Sequence, residues 1–207
     1  MKLLRTSLLA LALAPAALVA APAQPAAPAF DSSIISGLGA RNIGSAAMSG
    51  RISSLDAVTL PDGKLMVWVG AASGGVWKSL DGATTFTPVF DDQPVQSIGA
   101  VEIDKRNTET VWVGTGEAWT RNSVSIGNGI YKTTDGGDTW QHLGLDGSER
   151  ISDIRIDPRA SDTVYACVTG RLWSDSLERG VYRTRDGGKT WQQVLKAPNA
   201  STGCASL

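Results

Sequence analysis

The chain has a single histidine, His142, and two cysteines, Cys167 and Cys204, among its 207 residues. A His-rich metal centre or a Cys-rich zinc module has too few ligands here, so neither a metal nor a cofactor is expected. An excess of charge of one sign is also missing, because 19 Lys+Arg stand against 20 Asp+Glu for a formal net charge of -1. That balance excludes the basic stripe of a nucleic-acid binder and the cationic patch of a protein held on anionic lipid. The glycine pairs Gly37-x-Gly39 and Gly114-x-Gly116 lack their third member, with Asn42 and Trp119 in its place and no helical pattern following. Neither is a nucleotide loop. Disorder is excluded from the other side: seven Trp, three Tyr and three Phe supply apolar surface that offsets the entropy cost of folding.

Long apolar runs are scarce as well. The first follows the cationic start Met-Lys-Leu-Leu-Arg, extends from Leu8 to Ala20, contains Pro15 and is too short to span a bilayer. With the small-x-small step Ala21-Pro22-Ala23 after it, residues 1–23 read as a secretory signal. No cysteine stands there to carry a lipid. Export to the periplasm or the medium is therefore expected, with no membrane span in the mature chain. Residues 24–49 form a lead-in segment, and the oxidising compartment leaves Cys167 and Cys204 two fates, a disulfide or a pair of buried thiols on strands. The thiols are slightly favoured.

What the chain does have is self-similarity. Gly75-Val-Trp-Lys-Ser-Leu-Asp81-Gly-Ala-Thr-Thr-Phe86 recurs as Gly129-Ile-Tyr-Lys-Thr-Thr-Asp135-Gly-Gly-Asp-Thr-Trp140 and as Gly180-Val-Tyr-Arg-Thr-Arg-Asp186-Gly-Gly-Lys-Thr-Trp191. The aspartates lie 54 and 51 residues apart. Upstream of each copy comes an apolar run (Val67-Trp-Val-Gly70, Val111-Trp-Val-Gly114, Val164-Tyr-Ala-Cys167). Before that lies an alternating segment, as in Ile98 to Asp104 and Ile151 to Asp157. Each unit therefore predicts four short strands, and four strands in about fifty residues is the arithmetic of a propeller blade. The fold class expected is all-β, an incomplete amino-terminal part of a propeller over residues 50–207. Its blades cover 50–93, 94–146 and 147–198, with a fourth opening at 202–207, because the 53-residue interval that separates Ile98 from Ile151 leads on to Cys204. Three blades do not close a ring, so the remaining blades of a longer propeller are expected partners.

The Asp-Gly turn between the third and fourth strands has a mechanical reason. Its carboxylate accepts N–H groups of its own turn, and glycine supplies the positive φ of a tight hairpin. The Trp or Phe that follows is expected to lie against its own sheet, burying roughly 150 to 250 Å². The first copy has Ala83 where the others have Gly137 and Gly188, so an adjusted turn is expected there.

Thr133-x-Asp135-x-Gly137-x-Thr139-Trp140, and the second full match from Thr184 to Trp191, resemble the Asp-box, or bacterial neuraminidase repeat. The three copies cover most of residues 50 to 195. The segment from Arg41-Asn-Ile-Gly44 to Ser49-Gly-Arg51-Ile52, with Val113-Gly-Thr-Gly-Glu117, looks most like bacterial exported proteins with a sortilin-like propeller, a group often labelled glycosyl hydrolase. The repeat specifies a fold more than an activity, since sialidases, xyloglucanase-type hydrolases, photosystem assembly factors and sortilin-type receptors share it. In the xyloglucanase-type family a catalytic Asp lies two positions before a Gly-Gly at the second-to-third strand junction. Gly74-Gly75 is preceded there by Ala72 and Ser73, and the carboxylate is absent.

Strand alternation puts the Asp-Gly turns on one face and the loops between second and third strands on the other, with the blade-to-blade connections. Asp81, Asp135 and Asp186, with Gly137, Trp140, Gly188 and Trp191, therefore read as structural. One carboxylate per blade at the outer rim is too far from the next for the roughly 5 to 9.5 Å separation of paired glycosidase acids. His142, in an expected outermost strand, is poorly placed for a triad. Function is expected on the loops, where four residues separate Gly70 from Gly75 but fourteen separate Gly114 from Gly129. The ligand-binding candidates are Arg41, Arg51, Glu117, Trp119, Arg121 and Trp173, with Arg171 and Glu178 nearby. An aromatic beside a carboxylate and an arginine suits sugar stacking and peptide capture equally. The expected activity is binding of an extracellular protein, peptide or glycan at the mouth of the ring. The alternative is a glycoside hydrolase acting on extracellular polysaccharide, with Glu117 and Asp175 as candidate acids, and a third possibility is an assembly scaffold.

Overall fold

The computed structural model describes residues 51–121 and 123–207. The expected signal (1–23), the lead-in (24–49) and Arg41 lie outside the described residues. Twelve strands follow in three groups of four. The first group is β1 (Ile52–Thr59), β2 (Leu65–Ala71), β3 (Val76–Ser79) and β4 (Thr87–Pro88). The second is β5 (Ile98–Ile103), β6 (Val111–Thr115), β7 (Ile130–Thr133) and β8 (Gln141–His142). The third is β9 (Ile151–Asp157), β10 (Ala160–Val168), β11 (Gly180–Thr184) and β12 (Gln192–Lys196). Each group is one antiparallel sheet in sequence order. The first strands are neighbours across the sheets, β1 against β5 and β5 against β9, so the sheets radiate from a shared inner side. The architecture is a partial β-propeller of three four-stranded blades.

Stacking of blades explains why β2 and β6 read as unbroken apolar runs. β6 packs against blade one on one face and against blade three on the other, and Trp112 of β6, like Trp68 of β2, is fully buried. The core is therefore divided between two junctions. Met66, Trp68, Val76 and Phe90 of blade one meet Ile98, Val101, Ile103, Val111, Val113 and Tyr131 of blade two. Ala100, Trp112 and Ile130 of blade two meet Ile151, Ile154, Val164, Ala166 and Val168 of blade three. Glycine makes the approach possible: a Cβ built on Gly70 would lie 2.6 Å from Ile98 Cγ2, and one on Gly114 would lie 2.6 Å from Ile151 Cγ2.

Two expectations are corrected. The aromatic of the Asp-Gly turn does not lie against its own sheet. Trp140 of blade two reaches across to blade one, edge-on to Phe90 at 4.9 Å and to Trp68 at 6.2 Å, and donates Nε1–H to the Val89 carbonyl at 2.6 Å. Trp191 repeats the contact one blade on, edge-on to Trp112 at 6.1 Å and donating to the Leu143 carbonyl at 2.9 Å. The physical reason is that crossing to the preceding blade gives the indole N–H a carbonyl acceptor and the ring an aromatic partner. The first turn is shifted in its backbone, as expected, with Gly137 and Gly188 at φ 99° and 98°, and keeps its closing hydrogen bond. Ala83 takes φ 67° and its N–H still reaches the Ser79 hydroxyl at 3.0 Å, as Gly137 does with Thr133 and Gly188 with Thr184. Finally, Cys167 and Cys204 are a disulfide rather than two thiols, their Cα atoms 5.3 Å apart across a separation of 37 residues.

Candidate functional site

Each Asp-Gly turn is a closed hydrogen-bonded unit. In blade two, Thr133 Oγ1 donates to Asp135 Oδ1 at 2.6 Å, and the same oxygen accepts the Thr139 N–H at 2.9 Å. Blade three repeats this with Thr184, Asp186 and Thr190, and blade one with Ser79, Asp81 and Thr85. Hydrogen bonds from Thr85, then from Ser79, hold the Asp81 carboxyl down at about 2, and those from Thr190 and Thr184 hold Asp186 at about 2. Asp135 is lowered too, chiefly by Thr133 and Thr139. Carboxylates kept this acidic, with their oxygens turned into their own loops, are poor proton donors near neutrality. His142 stands in the outermost strand β8, its Nε2 2.7 Å from the Asn128 carbonyl.

The opposite face carries the candidate site, and a repeated irregularity of the first strands builds it. In β1 the register passes from Ile52 to Ser54, in β5 from Ile98 to Ala100 and in β9 from Ile151 to Asp153. Ser53, Gly99 and Ser152 are left out of the ladder as bulges, and a bulge re-aims a side chain. All three line a cavity of about 340 Å³ with Ala118, Trp119, Thr120, Thr169 and Ala205. Trp119, from the β6–β7 loop, is 69% exposed and forms part of the wall. Ser53 Oγ donates to the Gly70 carbonyl at 3.0 Å, and Ser152 and Thr169 donate to the Cys204 carbonyl at 3.1 and 3.0 Å. Their protons are spent on the backbone, so what these hydroxyls offer a ligand is lone pairs.

Close in the chain to the lining residues Ser53 and Ala118, Arg51 and Glu117 are paired. Arg51 Nε donates to Glu117 Oε1 at 2.6 Å and Nη2 to Oε2, a two-pronged contact from blade one to blade two, with the Glu117 side chain fully buried. The Glu117 N–H is held by Ser97 Oγ at 3.0 Å. Arg51, a ligand-binding candidate in the sequence, thus pairs with the neighbouring blade. Each carboxylate oxygen accepts one guanidinium N–H, so the pair is bidentate and spans the blade junction. Arg121, Trp173 and Asp175 are exposed on the β6–β7 and β10–β11 loops, outside the lining of the cavity. The β10–β11 loop is held from within by buried Arg179, whose guanidinium donates to the carbonyls of Thr169 at 2.7 Å, Ser174 at 3.1 Å and Arg171. Arg171 itself is tied to Glu149 at 3.2 Å.

Sequence reasoning missed the bulge residues, because a serine or glycine in an alternating run carries no mark of a skipped register. It also missed Glu102. Three residues beyond the mouth position, Asp56, Glu102 and Arg155 occupy equivalent places on β1, β5 and β9, with Lys105 2.6 Å from Asp56 and Arg155 3.3 Å from Glu102 and 3.1 Å from Asp153. Burial, and then the Asp56 charge, push the Glu102 carboxyl up to about 7 against the pull of Arg155. Among the described residues, no group of three or more His, Cys, Asp or Glu is arranged to hold a metal ion, and no helix is long and apolar enough to cross a membrane.

Fold and mouth together define a propeller segment with a neutral, aromatic-walled cavity on the loop face. No family model matches the chain. Over 125 residues (53% of this chain, 13% of the relative) it is 28% identical to the oligoxyloglucan-reducing end-specific xyloglucanase of Emericella nidulans. Over 81 residues (37% of this chain, 9% of the relative) it is 35% identical to a probable oligoxyloglucan-reducing end-specific xyloglucanase of Neosartorya fischeri. The matches thus span a small part of those relatives' length. Among solved structures, that of an ancestral GH74 enzyme superposes with a TM-score of 0.58 over 74% of this chain and 19% of the other, at 19% identity. At that identity the likeness concerns the β-propeller fold.

Proposed function

We propose that the chain is part of a longer exported propeller of the Asp-box, sortilin-like type, and that its mouth binds a neutral saccharide. The observation that carries this reading is the cavity beside Trp119. It offers an exposed indole face, hydroxyl lone pairs from Ser53, Ser152 and Thr169, and no charged side chain in its lining. A sugar brings both complements, hydroxyl donors on its edge and an apolar face of C–H groups. Arg51 and Glu117, close to the lining residues Ser53 and Ala118 in the chain, are spent on each other rather than offered to a ligand. The xyloglucanase relatives favour a glycan over a peptide and make xyloglucan oligosaccharides the first probe.

The experiment is calorimetric titration of the protein with neutral xyloglucan oligosaccharides. Saturable binding that Trp119→Ala weakens tenfold or more, about 1.4 kcal/mol, is the expected result. No binding of any neutral oligosaccharide would sink the reading. A second reading, glycoside hydrolysis, has the xyloglucanase relatives in its favour and leaves Asp175 as the exposed candidate acid. Release of reducing sugar that Asp175→Asn abolishes, with folding intact, would replace binding by catalysis.

A further inference from the structure

We infer that the Cys167–Cys204 disulfide is a redox-closed clasp that seats residues 204–207 as the innermost strand of a following blade, and with it one wall of the mouth. Three equivalent positions carry the inference. On the second strands, Gly70 pairs with Ser54 and Val76, Gly114 with Ala100 and Ile130, and Cys167 with Asp153 and Val181. On the first strands, Ile98, Ile151 and Cys204 follow one another at intervals of 53 residues. Gly70 lies under Ile98 and Gly114 under Ile151. Cys167 is bonded to Cys204 in the same place. Two blade junctions are thus closed by an isoleucine over a glycine, and the third position is closed by a covalent bond.

The hydrogen bonds around the tail follow the same repeat. The Leu207 N–H reaches Asp153 Oδ2 at 3.0 Å, as the Val101 N–H reaches Ser54 Oγ at 2.9 Å. Outside the repeat, the Ala200 carbonyl, four residues before Cys204, accepts the Ser176 N–H at 3.0 Å and ties the β10–β11 loop to the approach of the tail. Ala205 then stands in the mouth lining with Ser53, Gly99 and Ser152. The tail is therefore placed as a first strand is placed, and the clasp does for it what side-chain bulk does for β5 and β9.

Chemistry makes this junction conditional. Ile over Gly closes wherever the chain folds, whereas closing the clasp takes two thiols to one disulfide. Two protons and two electrons pass to an oxidised exchange partner of the disulfide class, which leaves as a dithiol. In a reducing compartment the thiols remain and the tail is held only by hydrogen bonds, those of Ser152 and Thr169 to the Cys204 carbonyl and those of Ser206 and Leu207 to Asp153 among them. After export the bond forms and the wall containing Ala205 is fixed. The geometry of the clasp is independent of which ligand the mouth takes.

Hydrogen exchange read by mass spectrometry, on the exported protein with and without dithiothreitol, tests it. Reduction is expected to raise exchange at least tenfold at Leu207 and at the Ser176 amide, and to leave the amides of β5 and β6 unchanged. The double variant Cys167→Gly/Cys204→Ile, which installs the pair used in the other two junctions, is expected to keep its tail protected in reductant. Unchanged exchange of the wild-type tail on reduction overturns the proposal. So does loss of protection spread evenly over all three blades, which would make the bond a general stabiliser. Two free thiols in the protein isolated from the exporting compartment would overturn it as well.

Discussion

At the scale of single residues, one position in the repeat shows how neighbours decide what a turn tolerates. Gly137 and Gly188 have φ 99° and 98°, and a Cβ on Gly188 would lie 2.6 Å from Leu143 Cδ1 and 2.9 Å from the Trp112 ring. Ala83 keeps a positive φ of 67° in the blade whose turn has no preceding blade among the described residues. Its cost is backbone strain alone. Ala83→Gly is therefore expected to stabilise the chain by about 0.5–1 kcal/mol and Gly188→Ala to destabilise it by about 2–3 kcal/mol, both read from urea unfolding midpoints. The turn aspartates set the acid response. Asp81 and Asp186 are held at about 2, below the ordinary 3.8, so the folded state binds fewer protons than the unfolded chain between those values. Their contribution is present above about pH 4 and is lost as pH falls toward 2. Asp186→Asn is expected to flatten that part of the stability profile, measured as melting temperature between pH 2 and 5.

At the scale of elements, much of the blade is legible in the chain. The Val-Trp-Val runs announce second strands covered on both faces, and Asp135-Gly-Gly announces the hairpin that follows β7, because turn chemistry and strand composition are local properties. Two features are not local. Trp140 lies two residues from Asp138 in sequence but finds its acceptor on Val89, 51 residues away, and nothing within its own repeat says so. The bulges at Ser53, Gly99 and Ser152 depend on how first strands fit around the inner side, so the cavity they line escaped a reading based on alternation. The crossing aromatic has a measurable consequence. Trp140→Ala is expected to cost about 3 kcal/mol, whereas Phe86→Ala, at the equivalent place in blade one and partly exposed, is expected to cost under about 1 kcal/mol in the same denaturation assay.

At the scale of the whole molecule, the described blades are not equivalent in their surroundings. Ile98 and Val101 are 0% and 4% exposed, Ile151 and Ile154 are 0% and 1%, yet Ile52 and Leu55 at the same places in blade one are 61% and 59% exposed. In the other two blades these positions are covered by the preceding blade. Two exposed apolar side chains on one strand promote self-association. The pair Ile52→Asp/Leu55→Asp is expected to lower the sedimentation coefficient at high protein concentration and to leave thermal stability within about 0.5 kcal/mol of the wild type, because neither side chain is buried. The sequence carries the number and order of blades well, since a repeat is a local pattern copied. It carries the differences between blades poorly, because these depend on what stands alongside.

The glycine-and-isoleucine contact between blades has a use beyond this chain. Gly70 offers Ile98 the same socket that Gly114 offers Ile151, so blade two has at its front the plug, and at its back the socket, that its own duplicate would require. A second copy of residues 98–150 spliced in after the first would meet matching surfaces on both sides. Lengthening such a protein by gene duplication therefore demands no new complementarity, only one more turn of the same screw.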